Sequence, residues 1–219
     1  MTTGIDRVRV AADGGANCLY YLLQSTHSHL RDQAVGLDAI VCDLGSLRLP
    51  VKQYFTSLEK PTKVDHYPGQ NLYDPDKAVS WVRSNYAPNI DIVILGGLSG
   101  RAGHGLRLVQ YLFHPGPTCA NGRVFFITSQ NLLILLKPSH HQIRVQEGNR
   151  DMIKRDLGVI PIGKPSLITT KGLKQEKQLK ITLGGKIIRN HVLPGVSTVE
   201  IETSNAVLFT SDIVNQDNR

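Results

Sequence analysis

The stretch Asp91-Ile-Val-Ile-Leu95-Gly-Gly-Leu-Ser-Gly-Arg101 decides how this chain is read. An apolar, β-branched run feeds a glycine-rich turn and then an arginine. In an α/β sheet such a turn lets the main chain approach a phosphate, while the guanidinium adds charge and a fixed fork of donors. Alone, a glycine-rich turn after a strand usually does no more than close a corner. A second turn of the same kind upstream, Asp13-Gly-Gly-Ala-Asn17 after Val8-Arg-Val-Ala-Ala, makes a polyphosphate site the stronger reading.

Working outward, apolar runs and helical spacing alternate up to about residue 135. The pattern predicts strands near 8–13, 37–43, 62–67, 91–95 and 123–128, with helices near 17–24, 50–58, 74–85 and 106–113 between them. Strands separated by helices of this length form βαβ units, hence a mainly parallel sheet covered on both faces. After Pro138 helical periodicity disappears. Short strands near 142–146, 158–162, 166–170, 178–183, 186–192, 198–202 and 207–213 alternate with Gly, Pro and Asn turns, which predicts a small antiparallel sandwich or barrel. The expected organisation is an α/β parallel-sheet domain over 1–137 followed by an antiparallel β domain over 138–219.

Composition narrows the function classes. The chain of 219 residues is 41% hydrophobic, enough for one sizeable core or two modest ones. No run approaches a membrane span, the longest being Asn131-Leu-Leu-Ile-Leu-Leu136, and the N-terminus carries no secretory pattern. Cys18, Cys42 and Cys119 are odd in number and widely spaced, which suits a reducing, cytoplasmic setting rather than a disulfide framework. The net charge of +7 is concentrated: residues 150–190 hold 10 Lys/Arg against 3 Asp/Glu, and the remainder balances. Those lysines run through predicted strands without interleaved aromatics. A solvated sheet face, or one attracting anionic ligands, therefore outranks a nucleic-acid face.

Ligands of open parallel sheets bind at the carboxyl ends of the strands. The polar stretches expected there are Asp13–Asn17, Asp43–Ser46, Gly69–Lys77, Gly96–Arg101 and Ser129-Gln130. Asp43 and Asp74, converging beside phosphate-binding turns, would hold Mg²⁺, which favours one or two carboxylates plus phosphate oxygens. Equally, Asp43 could cap its turn, and Asp74 before Pro75 could cap a helix. The histidines at 27, 29, 140 and 141 read as surface residues, His104 reads as a loop residue that could reach a phosphate, and Trp81 reads as core. Ser99 and Ser129 lack the setting of a hydrolase nucleophile.

Taken together the motifs resemble the thiamine pyrophosphokinase family, most closely its fungal members. The resemblance rests on Ala12-Asp-Gly-Gly-Ala-Asn17, Asp43-Leu-Gly-Ser-Leu-Arg48, Gln70 with Asp74 and Lys77, Leu95–Arg101, and Asn190-His-Val192, and covers nearly the whole chain. It implies a nucleotide-binding α/β domain followed by a β-sandwich, working as a homodimer. It implies transfer of a pyrophosphoryl group from ATP to thiamine with Mg²⁺, giving thiamine diphosphate and AMP. On that resemblance Asp43 and Asp74 hold the metal, and Gln70 and Lys77 orient substrate. Asp13, Gly14, Gly15, Asn17, Gly96, Gly97, Gly100, Arg101 and Ser129 bind ATP, and Asn190 contacts thiamine.

The departures from the family pattern fall on the chemistry. Gly45, Gly69 and Gly103 stand where acidic residues are expected, and Arg189-Asn190 replaces a Ser-Asn pair. The family's usual first strand and loop are also missing ahead of Asp13. Loss of a metal-holding carboxylate weakens charge neutralisation in the transition state by several kcal/mol, roughly 10²–10⁴ in rate. Two readings therefore stand: an active pyrophosphokinase, or a catalytically impaired paralogue that binds nucleotide or thiamine or pairs with an active subunit.

Overall fold

The computed structural model describes residues 7–25, 36–67, 73–97, 102–113, 122–175 and 178–214. The chain divides into two compact units: Met1–Ile90 with Gly116–Asn121, and Asp91–Pro115 with Gly122–Arg219.

In the first unit β1 (Val10–Ala12), β2 (Ala39–Cys42) and β3 (Lys63–His66) form a parallel sheet in that order, as the helix–strand alternation predicts. All four residues of β2 are buried. Its two-residue alternation decides what packs where. Ile40 and Cys42 join a core with Ala16 and Leu23 of α1 (Gly15–Gln24) and Val51 and Phe55 of α2 (Leu49–Thr56). Ala39 and Val41 face Trp81 of α3 (Asp74–Asn85). With both faces covered the strand has no polar side, which is why it reads as an unbroken apolar run.

Trp81 is core, as expected, and its indole N–H donates to Asp65 Oδ2 at 2.7 Å. That bond, followed by the Lys63 ammonium, holds the Asp65 carboxyl below its ordinary value of 3.8. The stabilisation this carboxylate contributes is therefore present above pH 3.8 and lost as pH falls through its lower folded value. We expect Asp65→Asn to flatten the acid limb of stability, read as a shallower fall in urea midpoint between about pH 5 and pH 3.

In the second unit β4 (Ile92–Leu95) and β5 (Val124–Ile127) pair in parallel, followed by β6 (Asn131–Leu136) antiparallel to β5. They belong to one six-stranded sheet of order β13-β10-β15-β6-β5-β4, with β10 (Ile153–Pro161), β13 (Ile188–His191) and β15 (Val207–Ile213). A four-stranded antiparallel sheet of β12 (Gln178–Ile181), β11 (Ser166–Lys171), β14 (Thr198–Thr203) and β7 (Ser139–Arg144) completes the sandwich. Val159 and Phe209 of the large sheet pack with Ile168, Val199 and Ile201 of the small one. On the other side Leu208, Phe126 and Leu133 pack with Leu108 and Leu112 of α4 (Ala102–Phe113).

Several elements differ from the sequence expectation. Helix α4 begins at Ala102 rather than near 106, because Gly103 and Gly105 mask the propensity of its first turn. Strand β10 begins at Ile153 rather than near 158, through the charged run Lys154-Arg155-Asp156. Those charges are accommodated by exposed pairs, Lys154 with Asp212 and Asp156 with His191, and by a register shift between Ile153 and Leu157. Finally, Gln146–Glu147 (β8) and Arg150–Asp151 (β9) form a two-stranded ladder around Gly148, whose φ is +58°.

Candidate functional site

The parallel sheet of the first unit brings its carboxylates together. Asp13 follows β1, Asp43 follows β2, and Asp74 opens α3, and one carboxylate oxygen from each lies within 4.8 Å of the others. Lys77, one turn into α3 and 1% exposed, reaches between two of them. Its ammonium donates to Asp43 Oδ2 at 2.7 Å and to Asp74 Oδ1 at 3.3 Å. Burial acts to lower the Lys77 pKa, but the bonds to Asp43 and Asp74 outweigh it and lift the ammonium above its ordinary 10.5. Lys77, then the Gly45 N–H, hold the Asp43 carboxyl below the usual carboxylate range.

Asp13 is 1% exposed and does local work as well. Its two oxygens accept the N–H groups of Ser46 and Leu47, each at 3.0 Å. Asn17 continues the lacing: Nδ2 donates to Ser46 O at 2.7 Å, and Oδ1 accepts the Arg48 N–H at 3.1 Å. The side chains of the first glycine turn thus shape the 43–48 loop, and Gly14 and Gly15 start α1 with no side-chain cap.

The same loop and the turn that laces it carry strain. Leu44 has φ +67° and Asp13 φ +39°, in the region disfavoured for residues with a Cβ. Leu44 is about half exposed, so little packing opposes its replacement. Leu44→Gly should stabilise the protein by up to about 1 kcal/mol, the relief of left-handed backbone exceeding the added freedom of the unfolded chain. A urea titration showing a loss instead would mean that the Leu44 side chain holds the loop.

Three carboxylates and one ammonium leave two net negative charges among hard oxygen donors, which fits a divalent cation such as Mg²⁺. Asp13 lies in this cluster along with the expected Asp43 and Asp74. The signal was present in the sequence, since Asp13 closes an apolar strand just as Asp43 does. The alternative cap role of Asp74 is not seen; the start of α3 is closed by Tyr73 and Asp76. Gly45 donates its N–H to Asp43 Oδ1 at 2.9 Å, and a Cβ added there would lie 2.9 Å from that same oxygen. An acid at position 45 could therefore enter only if Asp43 left its present place.

In the second unit, Gly96 and Gly97 follow β4 with φ +86° and +84°, a left-handed pair that glycine alone adopts without strain. The Gly96 N–H donates to Ile127 O at 2.8 Å, so this turn lies at the carboxyl ends of β4 and β5. Ser129 is exposed just after β5, where Thr128 Oγ1 accepts the N–H groups of Gln130 and Asn131. Gly103 lies exposed on α4 with open space around it. On β13, Asn190 is half-buried and spends most of its amide on backbone: Oδ1 accepts from Gln175 and His191, and Nδ2 donates to Gln175 O at 2.8 Å. Gly69, Gln70, Ser99, Gly100, Arg101, His27, His29 and Cys119 lie outside the described residues, as does the His104 side chain.

Comparison with known proteins agrees with the motifs. A family profile described as thiamin pyrophosphokinase, catalytic domain, matches residues 5–124. Thiamine pyrophosphokinase 3 of Oryza sativa subsp. japonica is 32% identical over 214 residues, 93% of this chain and 77% of that protein. Thiamin pyrophosphokinase 1 of Caenorhabditis elegans is 28% identical over 221 residues, 95% of this chain and 80% of that one. The fold is shared with the crystal structure of yeast thiamin pyrophosphokinase, at TM-score 0.81 and 20% identity over 95% of this chain and 78% of that chain. These relatives span plants, a nematode and yeast, so they carry the family and no fungal subset of it. None of them supports the impaired-paralogue reading. On the match over more than half its length, and on the retained glycine turns and acids, the chain belongs to the thiamine pyrophosphokinase family.

Proposed function

We propose that this chain transfers a pyrophosphoryl group from ATP to the hydroxyl of thiamine, releasing AMP and thiamine diphosphate. The observation that supports it most is the convergence of Asp13, Asp43 and Asp74 around the Lys77 ammonium at strand ends of a parallel sheet. Pyrophosphoryl transfer asks a protein chiefly to place a triphosphate and to neutralise charge developing around its β-phosphorus.

In this reading Asp13, Asp43 and Asp74 hold Mg²⁺, which when bound supplies the counter-charge for the phosphate oxygens. Lys77 fixes Asp43 and Asp74, and with Gln70 orients substrate. The backbone N–H groups of Gly14 and Gly15 at the start of α1 cradle phosphate in the first unit. In the second, Gly96, Gly97, Gly100, Arg101 and Ser129 bind ATP, and the remaining Nδ2 hydrogen of Asn190 is available to thiamine. We further propose that residues 1–137 serve the nucleotide and 138–219 thiamine, in a cytoplasmic homodimer. Among the described residues no helix is long and apolar enough to cross a membrane.

The test is a coupled assay of AMP release from ATP. Thiamine-dependent AMP formation that EDTA abolishes and Mg²⁺ restores is the expected result. Absence of thiamine-dependent AMP with either Mg²⁺ or Mn²⁺ overturns the proposal.

A further inference from the structure

Three charged side chains are buried among the described residues: Asp13, Lys77 and Arg83. Two of them are answered. Asp13 accepts two backbone N–H groups, and Lys77 lies between two carboxylates. Arg83, 4% exposed in the last turn of α3, is answered at one corner only. Its Nη1 donates to Pro88 O at 2.6 Å, in the turn that the Ile90 N–H closes on Ala87 O. Nε and Nη2 are buried and have no acceptor among the described residues, and no carboxylate there pairs with the guanidinium.

Nε and Nη2 together form the edge of a guanidinium that grips one oxyanion with two N–H groups. Arg123 uses that edge in this same protein: its Nε and Nη2 both donate to Asp91 Oδ2, at 3.0 and 2.5 Å. Arg123 is exposed, where such a pair matters little. At Arg83 the edge is buried, where a charge without a counter-charge is costly. A water could accept both N–H groups but would leave the charge uncompensated. An anion answers both needs at once.

We propose that the Nε–Nη2 edge of Arg83 is a binding site for a small oxyanion. Inorganic phosphate and a small carboxylate share that chemistry, and burial of the edge favours an anion of a few atoms over a nucleotide. Arg83 follows Asp74 by nine residues on α3, about 13.5 Å along the axis by the helical rise. The site is therefore separate from the Asp13, Asp43 and Asp74 cluster. Its existence does not depend on pyrophosphoryl transfer, so a failed AMP assay leaves the test readable.

The experiment follows the Arg83 Nε–H resonance of the full chain in EDTA by nitrogen–proton correlation NMR, with the resonance assigned through its own side chain. Sodium phosphate or sodium acetate is exchanged for sodium chloride at constant ionic strength. At least one oxyanion should shift the resonance saturably and raise the urea midpoint of the same chain. In Arg83→Lys, which keeps the charge and loses the edge, that rise should shrink as affinity falls about tenfold or more. Phosphate held at the glycine turn of the first unit would raise both chains alike, so the difference between them is what is read. A response to phosphate alone identifies phosphate, one to acetate alone a carboxylate, and one to both means that the edge takes either. The resonance is read on the parent, so the test stands even if Arg83→Lys does not fold. An unmoved Nε–H resonance with both oxyanions, or an equal midpoint rise in parent and Arg83→Lys, overturns the proposal.

Discussion

Lys77→Met should tighten divalent-cation binding while weakening the metal-free fold. The Lys77 ammonium is 1% exposed and stands between carboxylates that are 32% and 40% exposed. Removing it leaves three acids within 4.8 Å of one another with no cation among them. A fully buried pair broken in this way loses ~3–5 kcal/mol. Because Asp43 and Asp74 keep partial access to water, about 1–3 kcal/mol is expected here, measured by urea unfolding in EDTA. Mg²⁺ or Mn²⁺ should restore most of that loss, and Mn²⁺ affinity by paramagnetic resonance titration should rise about tenfold or more. An unchanged affinity would show that the ammonium does not compete for the cation position.

The same pair sets the pH window of the site. Asp43 has its pKa lowered, so its contribution is present above 3.8 and is lost as pH falls through the lower folded value. Lys77 has its pKa raised, so its contribution is present below 10.5 and is lost as pH rises through the higher folded value.

Asp13→Ala is expected to be the most damaging single change. It strands the Ser46 and Leu47 N–H groups and removes a carboxylate from the cation set. It also places alanine at φ +39°, a conformation that aspartate tolerates better. Two lost charge-assisted bonds and the added strain predict a loss of about 2–4 kcal/mol and a fall in Mn²⁺ affinity of at least ~10-fold. Asp13→Asn separates the two effects: its side-chain carbonyl can still accept from the loop, so most of the stability should return, while cation affinity stays low. If Asp13→Asn binds Mn²⁺ as the parent does, Asp13 is a structural residue only.

Several parts of the molecule were legible because they depend on local chemistry. The alternation of apolar runs with helical spacing marked β1 to β5 and their helices, and turn residues marked most of the later strands. Gly96 and Gly97 were readable as a special turn because only glycine adopts their backbone without strain. Asp43, Asp74 and Lys77 were recognisable as a group through the family motif, and Asp74 and Lys77 are also one helical turn apart. By contrast the start of β10 was hidden by Lys154-Arg155-Asp156, whose charges find partners on other strands and in the β8–β9 ladder. The first turn of α4 was hidden by its glycines.

What the amino-acid order determined by itself was most of the elements, the two glycine turns and the family to which their spacing belongs. Periodicity and turn chemistry act between neighbours in the chain and need no fold to be read. Only the tertiary structure decided that β4 and β5 share a sheet with the C-terminal strands, and that Asp13 joins Asp43 and Asp74 around a buried Lys77. Strand pairing and charge clustering join residues dozens of positions apart, and the energies that select among such pairings come from burial and from competing partners. No local pattern records them.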